Sequence, residues 1–182
     1  MKITRLEAYV LRAKTPERPH WTSHFIVPTA NEILVRLYTD EGIDGFGLAT
    51  SYTPIEFAIK AWKGGLADQI VGEDALAPER LYQKLFALTT SKVANEKGWS
   101  REALIRISAA VDIACWDIMG KAAGLPLYRL FGGHRDSVPA YVTCGYYREG
   151  KDHAELRDEV HMLLDQGHTG FKAKAGLKPS ER

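Results

Sequence analysis

Hydrophobic and polar positions alternate with period two over three early stretches of the chain. Ile3–Leu11, Glu32–Tyr38 and Gly45–Thr50 each read as a strand; in the second, Ile33, Val35 and Leu37 alternate against Leu34 and Arg36. Thr39-Asp40-Glu41-Gly42-Ile43-Asp44 joins the second to the third as a glycine-containing hairpin connection. Ala13–Asn31 separates the first from the second, and its Pro16, Pro19 and Pro28 make it a loop. A loop that long inside a compact domain is usually functional or mobile.

The period then lengthens to that of a helix. Thr53, Pro54 and Glu56 supply an N-cap, a proline at the first helical position and a capping-box partner. A second helix starts near Pro78 and carries Leu81, Leu85 and Leu88 on one face. Ser100 caps a third, in which Leu104, Ile107, Val111, Ala114, Ile118 and Ala122 recur at helical spacing until Gly124 and Pro126 end it. Its apolar stripe is wide, which predicts a largely buried helix. Gly132-Gly133 breaks the pattern. Asp136–Tyr147 reads as a strand, with Val138, Ala140 and Val142 alternating against Tyr141 and Thr143. Asp152 is an N-cap with Glu155 as its capping-box partner, followed by Leu156, Val160, Leu163 and Leu164 on one side and by Gly167 at the C′ position. Gly170–Gly176 is a short closing strand.

Strand, helix, strand implies a parallel pair with a right-handed crossover. The front of the chain is instead an antiparallel meander followed by helices. Two architectures predict two domains: an α+β domain over residues 1–133 and a β/α unit over 134–182.

Composition narrows the functional classes. Of 182 residues, 45% are hydrophobic, enough for a packed core. The formal net charge of +1 leaves no basic excess to attract nucleic acid. No apolar run is long enough to cross a bilayer, and Met1-Lys2-Ile3-Thr4-Arg5 lacks the apolar core of a signal peptide. Cys115 and Cys144 form no metal-type or redox-type pair and read as reduced thiols, so the expected location is cytoplasmic.

The chemistry concentrates at Lys172 and Lys174. Two apart in a strand, they point the same way, while Phe171, Ala173 and Ala175 point the other way. That second face packs against crossover helices in a parallel sheet. An open sheet would bury the lysines under helices on their own side as well, whereas a closed barrel would place them at its active-site mouth. There, like charge and desolvation favour the neutral amine, the form able to accept a proton. The alternative is an exposed edge strand bearing two solvated lysines, and spacing does not choose between the two. Asp112 and Asp117 form no comparable pair. Five residues apart they share no helix face, and they read as caps or ion pairs with Lys121 or Arg129.

Taken together, Ala109-Ala110-Val111-Asp112-Ile113-Ala114-Cys115-Trp116-Asp117-Ile118-Met119-Gly120-Lys121-Ala122-Ala123-Gly124-Leu125-Pro126-Leu127-Tyr128-Arg129-Leu130-Phe131-Gly132-Gly133, Phe171-Lys172-Ala173-Lys174 and the hairpin Tyr38–Gly47 resemble the mandelate racemase and muconate lactonizing enzyme branch of the enolase superfamily. The resemblance implies an N-terminal capping domain followed by the start of a TIM-type (β/α) barrel. It implies that Lys174 is the base on one face of a small carboxylic-acid substrate and that Lys172 tunes it and helps hold the carboxylate. It also implies Mg²⁺ to stabilise the enediolate, a role the general account of this superfamily assigns to the ion. The magnesium ligands are expected on later barrel strands beyond Arg182, because a barrel of this kind takes roughly 250 residues. No residue here is therefore assigned to the metal.

Two loops are expected to close over the substrate: His20-Trp21-Thr22-Ser23-His24-Phe25, and Thr50-Ser51-Tyr52. The alternative for His20 and His24 is a surface loop that binds nothing. Leu48 stands where many relatives carry Glu. Tyr141 and Thr143 belong to the first barrel strand, with Gly145 and Tyr146 as candidates to continue it; some of these point into the mouth, in a register left open by one residue, and Thr143 is a substrate-binding candidate. The expected activity of the intact protein is that of a racemase, epimerase or dehydratase, with a sugar-acid dehydratase favoured by the polar and aromatic loops. The competing expectation is a truncated, non-catalytic chain that serves only for folding or association. Members of this family often associate, so a homo-oligomer is a further expectation.

Overall fold

A computed structural model describes residues 1–13, 19–22, 26, 31–51 and 55–174. The chain divides into two compact units, Met1–Ala13 with Ala30–His134, and Lys14–Thr29 with Arg135–Arg182.

The first unit is built on a three-stranded antiparallel sheet. Its strands are β1 (Ile3–Arg12), β3 (Asn31–Thr39) and β4 (Asp44–Ser51), in the order β1-β3-β4; β2 (His20–Trp21) belongs to the other unit. Register follows the alternation in the sequence. Val10, Ala8 and Leu6 lie opposite Ile33, Val35 and Leu37, all six on the covered face, and the last three are buried. The opposite face carries a paired polar network beside the exposed side chains of Phe46 and Leu48. Glu7 accepts hydrogen bonds from the Tyr9 hydroxyl at 2.5 Å and the Tyr38 hydroxyl at 2.7 Å, and Arg36 pairs with Asp44 at 2.6 Å.

Among the described residues the unit's helices are α1 (Glu56–Lys63), α2 (Pro78–Leu88), α3 (Lys92–Lys97), α4 (Arg101–Ala123) and α5 (Leu127–Leu130), with a 3₁₀ turn at Leu66–Gln69; α4 lies against β4 and β3, and α1, α2 and α5 pack on α4. The long helix α4 carries the core. Leu104, Ile107, Ala110, Val111, Ala114, Cys115 and Ile118 are all buried, over the wide arc the sequence predicts. Each large aliphatic side chain so buried contributes about 1.5–3 kcal/mol of transfer free energy. The Ser100 hydroxyl accepts from Ala103 N–H, and Gly124 ends the helix in the left-handed conformation.

Strand β4 approaches α4 closely, and glycine permits it. A Cβ on Gly47 would run into the Ala110 carbonyl oxygen, and one on Gly45 into that of Ala114. Asp117 then ties helix to strand. Its carboxylate accepts from Phe46 N–H at 3.0 Å and from Lys121 at 2.7 Å, while Lys121 also donates to the Asp44 carbonyl.

The second unit contains β5 (Val142–Cys144), β6 (Tyr147–Arg148), α6 (His153–Asp165) and β7 (Phe171–Ala173). Strands β5 and β7 are parallel, as the strand–helix–strand order requires, and β2 pairs antiparallel with β6. Among the described residues, no helix is long and apolar enough to cross a membrane.

Four local expectations are corrected. Residues 136–141 are not a strand: alternation alone cannot make one, and the ladder to β7 supplies partners only for Val142–Cys144. The Ala13–Asn31 loop contains a strand, β2, because β6 offers it a partner. Helix α1 begins at Glu56 with Ile55 as N-cap; the expected capping residues Thr53 and Pro54 lie outside the described residues. Asp152 caps α6 as expected, accepting from Glu155 N–H at 2.9 Å, but the Glu155 carboxylate pairs with Arg148 instead of completing a capping box.

Candidate active site

Because β5 and β7 run in the same direction, their C-terminal ends coincide. Val142, Thr143 and Cys144 lie opposite Phe171, Lys172 and Ala173. Lys174 N–H donates to the Cys144 carbonyl at 3.0 Å and extends the ladder by one step. The chain then turns at Gly145, whose φ of 72° favours glycine. Space is tight there as well: a Cβ would lie 3.2 Å from the Lys174 backbone nitrogen and 3.3 Å from Leu156 Cδ1.

This turn delivers Tyr146 to Lys174. The Lys174 ammonium stands 5.2 Å from the centroid of the Tyr146 ring, within cation–π range. The His20 ring meets the same tyrosine edge-on, with centroids 5.2 Å apart. His20 is brought there by the β2–β6 pairing, in which His20 lies opposite Arg148 and Trp21 opposite Tyr147. Two residues from distant parts of the sequence, His20 and Lys174, thus share one tyrosine.

Lys172 and Thr143 are directly opposite one another, and both are exposed, whereas Lys174 is half-buried. Trp21 is half-buried, and its indole N–H finds no acceptor among the described residues. Thr50 and Ser51 are placed in β4 by their backbones, opposite Glu32 and Asn31, in the first unit. His24 and Tyr52 lie outside the described residues.

Tyr146, Glu159 and its partner Lys151 have no assigned role in the sequence. Tyr146 was read as a barrel-strand residue of uncertain register, and the structure sets its ring against Lys174. Glu159, on α6, accepts from Gly145 N–H at 3.3 Å and from Lys151 at 2.5 Å. The available signal was Glu159 sitting among Leu156, Val160 and Leu163, where a carboxylate needs a partner.

Other titratable groups are structural. Burial pushes the Cys115 thiol up to about 12, which leaves it protonated and unreactive. Burial, with the Glu79 charge behind it, also raises Asp112. Asp117 is engaged by Lys121 and β4. Two cavities of about 320 Å³ occur in the first unit, one lined by Ala8, Val10, Ile33 and Trp62, the other by Gly120, Gly124 and Leu127. The second cavity also has Asp117 and Lys121 on its wall, but these are already paired with each other and tied to β4. Among the described residues no three His, Cys, Asp or Glu side chains group to hold a metal ion.

Comparison with known proteins bears on this arrangement. Residues 5–132 match the family model for the mandelate racemase / muconate lactonizing enzyme N-terminal domain. An arabinonate dehydratase of Saccharolobus solfataricus is 34% identical over 149 residues, covering 82% of this chain and 38% of the relative. A D-mannonate dehydratase of Rhizorhabdus wittichii is 34% identical over 157 residues, covering 82% and 35%. The chain therefore spans about a third of the length of the curated relatives it matches. A crystal structure of a mandelate racemase/muconate lactonizing enzyme superposes with a TM-score of 0.81 at 31% identity, covering 99% of this chain and 47% of that one. A racemase from Streptomyces coelicolor with bound magnesium superposes at 0.79 with 27% identity, covering 97% and 47%.

Proposed function

The chain belongs to the mandelate racemase/muconate lactonizing enzyme family, and from that premise we propose that the intact protein is a sugar-acid dehydratase that removes the proton α to its substrate's carboxylate. The observation that carries the reading is the placement of Lys174 at the shared C-terminal ends of two parallel strands, against Tyr146 and within one ring of His20. Active sites of parallel β/α folds lie at that end. The dehydratase class is supported by the arabinonate and D-mannonate dehydratases among the relatives.

In this reading Lys174 accepts the α-proton at Nζ. Lys172, two residues earlier on the same strand, donates hydrogen bonds to the carboxylate and offsets its charge. Thr143, opposite Lys172, and His20 supply further polar groups to a polyhydroxylated acid, with Trp21 next to His20 on β2. Magnesium dependence is part of the proposal, on the strength of the magnesium-bound racemase. The ion would supply Lewis-acid stabilisation of the enediolate. No described residue is assigned to hold it, and the chemistry assigned to this chain is confined to its own side chains.

The test is exchange of the substrate α-proton with solvent deuterium in the intact enzyme, using arabinonate and mannonate. Lys174→Ala should reduce exchange on one face by about 10²–10⁴-fold, the range for loss of a general base. Exchange at the wild-type rate in that variant rules out Lys174 as the base.

A further inference from the structure

We propose that Glu159, its charge balanced by Lys151, is a positioning residue for Lys174, acting through the Gly145–Tyr146 turn. The proposal rests on the assignment of Lys174 as the base.

Lys174 is seated by this turn twice. Its backbone N–H is held by the Cys144 carbonyl at 3.0 Å, and its ammonium stands over the Tyr146 ring at 5.2 Å. Both contacts come from the residues flanking Gly145. A glycine at φ 72° has no side chain to lock its own conformation, so the turn must be fixed from outside. The fixing group is visible. Glu159 Oε2 accepts from Gly145 N–H at 3.3 Å, and Leu156, one helical turn earlier on α6, closes the space beside it.

Glu159 is itself held. Lys151 donates to the same carboxylate oxygen at 2.5 Å, and the two side chains are only 12% and 28% exposed. A pair removed that far from water loses much of its hydration, and packing alone would favour apolar side chains of similar size at both positions. What apolar side chains could not do is accept the Gly145 N–H. The ion pair therefore has a function that only an acceptor at position 159 can perform. It sets the turn, and the turn sets the amine. Reacting groups held loosely by about 1 Å lose up to about a hundredfold in rate, so a positioning device of this kind matters to a base.

The experiment reads the geometry directly in the 182-residue chain. Lysines are reductively methylated with ¹³C, and the Lys174 resonance is identified by its absence in Lys174→Arg. A methylammonium over an aromatic face is displaced upfield. That displacement should persist in Glu159→Gln, whose amide oxygen still accepts from Gly145 N–H, and in Tyr146→Phe, which keeps the ring. It should vanish in Tyr146→Leu and in Glu159→Ala. Should Glu159→Ala not fold, the paired replacement Glu159→Leu with Lys151→Met leaves no unpaired charge and no acceptor, and the displacement should be lost there too. An undisplaced resonance in the wild type, or a wild-type displacement in either acceptor-less variant, overturns the proposal. The base assignment is tested apart from it: if Lys174→Ala retains α-proton exchange while Glu159→Ala loses the displaced resonance, the positioning stands and the base must be sought elsewhere.

Discussion

Glu7 and Asp112 are carboxylates of the same unit, and their surroundings give them opposite dependence on pH. Hydrogen bonds from the Tyr9 and Tyr38 hydroxyls hold Glu7 below its ordinary value of 4.5. Its contribution to folding is therefore complete above that value and is lost as pH falls through the lowered native one. Burial raises Asp112 above its ordinary 3.8. The folded state then binds this proton more tightly than the unfolded chain, so ionised Asp112 weighs against folding once pH has risen past the native value. Thermal melts across pH should show both signs. Glu7→Gln should lower the melting temperature at neutral pH, with the deficit closing in acid. Asp112→Asn, whose amide oxygen can still accept from the Trp116 indole, should raise it at neutral pH, with the gain closing in acid. A pH-independent difference in either variant counts against the assigned cause. The Asp117–Lys121 ion pair was available from spacing on one helix, whereas Asp112 forms neither the expected cap nor an ion pair among the described residues and stands near Glu79 and Trp116. Asp117's tie to Phe46 N–H was not legible, because it spans 71 positions and depends on how α4 lies across β4.

Elements with a strong period of their own were legible. The alternation over β3, the stripe and caps of α4, and the parallel order of β5 and β7 all follow from local sequence and recur in the structure. Elements that exist only because a partner exists were not. His20–Trp21 has no periodicity to read, and its strand is made by β6. Conversely, 136–141 alternates well and forms no strand. Close packing falls between these cases: Gly45-Phe46-Gly47 reads as part of a hairpin, but the reason for its glycines is the helix behind it. Gly47→Ala should therefore act as a core overpacking mutation despite its strand setting. The new methyl group meets the Ala110 carbonyl, a backbone atom that cannot swing aside. The expected loss is about 1–3 kcal/mol or more, read as a lower urea midpoint with an unchanged slope. An alanine variant as stable as the wild type would show that α4 and β4 can separate without penalty.

At the scale of the whole molecule, the two units differ in how much holds them together. The first has one contiguous core in which sheet, α1, α2 and α4 all take part, from Ile3 through Val35 and Leu66 to Ile118. In the second, Cys144 and Leu163 are the buried hydrophobic side chains among the described residues, and its sheets are ladders of two and three residues. Lys174 is thus carried by a unit with little apolar burial of its own, and polar contacts such as Glu159 to Gly145 N–H carry a larger share of its order. Local opening free energies follow buried contact density, so the units should not open together. Hydrogen exchange of the 182-residue chain should show amides of Ile33, Val35 and Leu37, and those in the middle of α4, exchanging at least about a hundredfold more slowly than those of Val142–Cys144 and Phe171–Ala173. The Lys174 amide, bonded to the Cys144 carbonyl, should exchange with the fast group. Equal protection in both units would mean that the second is stabilised by something other than its own core, and Lys174 would then owe its position to more than the turn beside it.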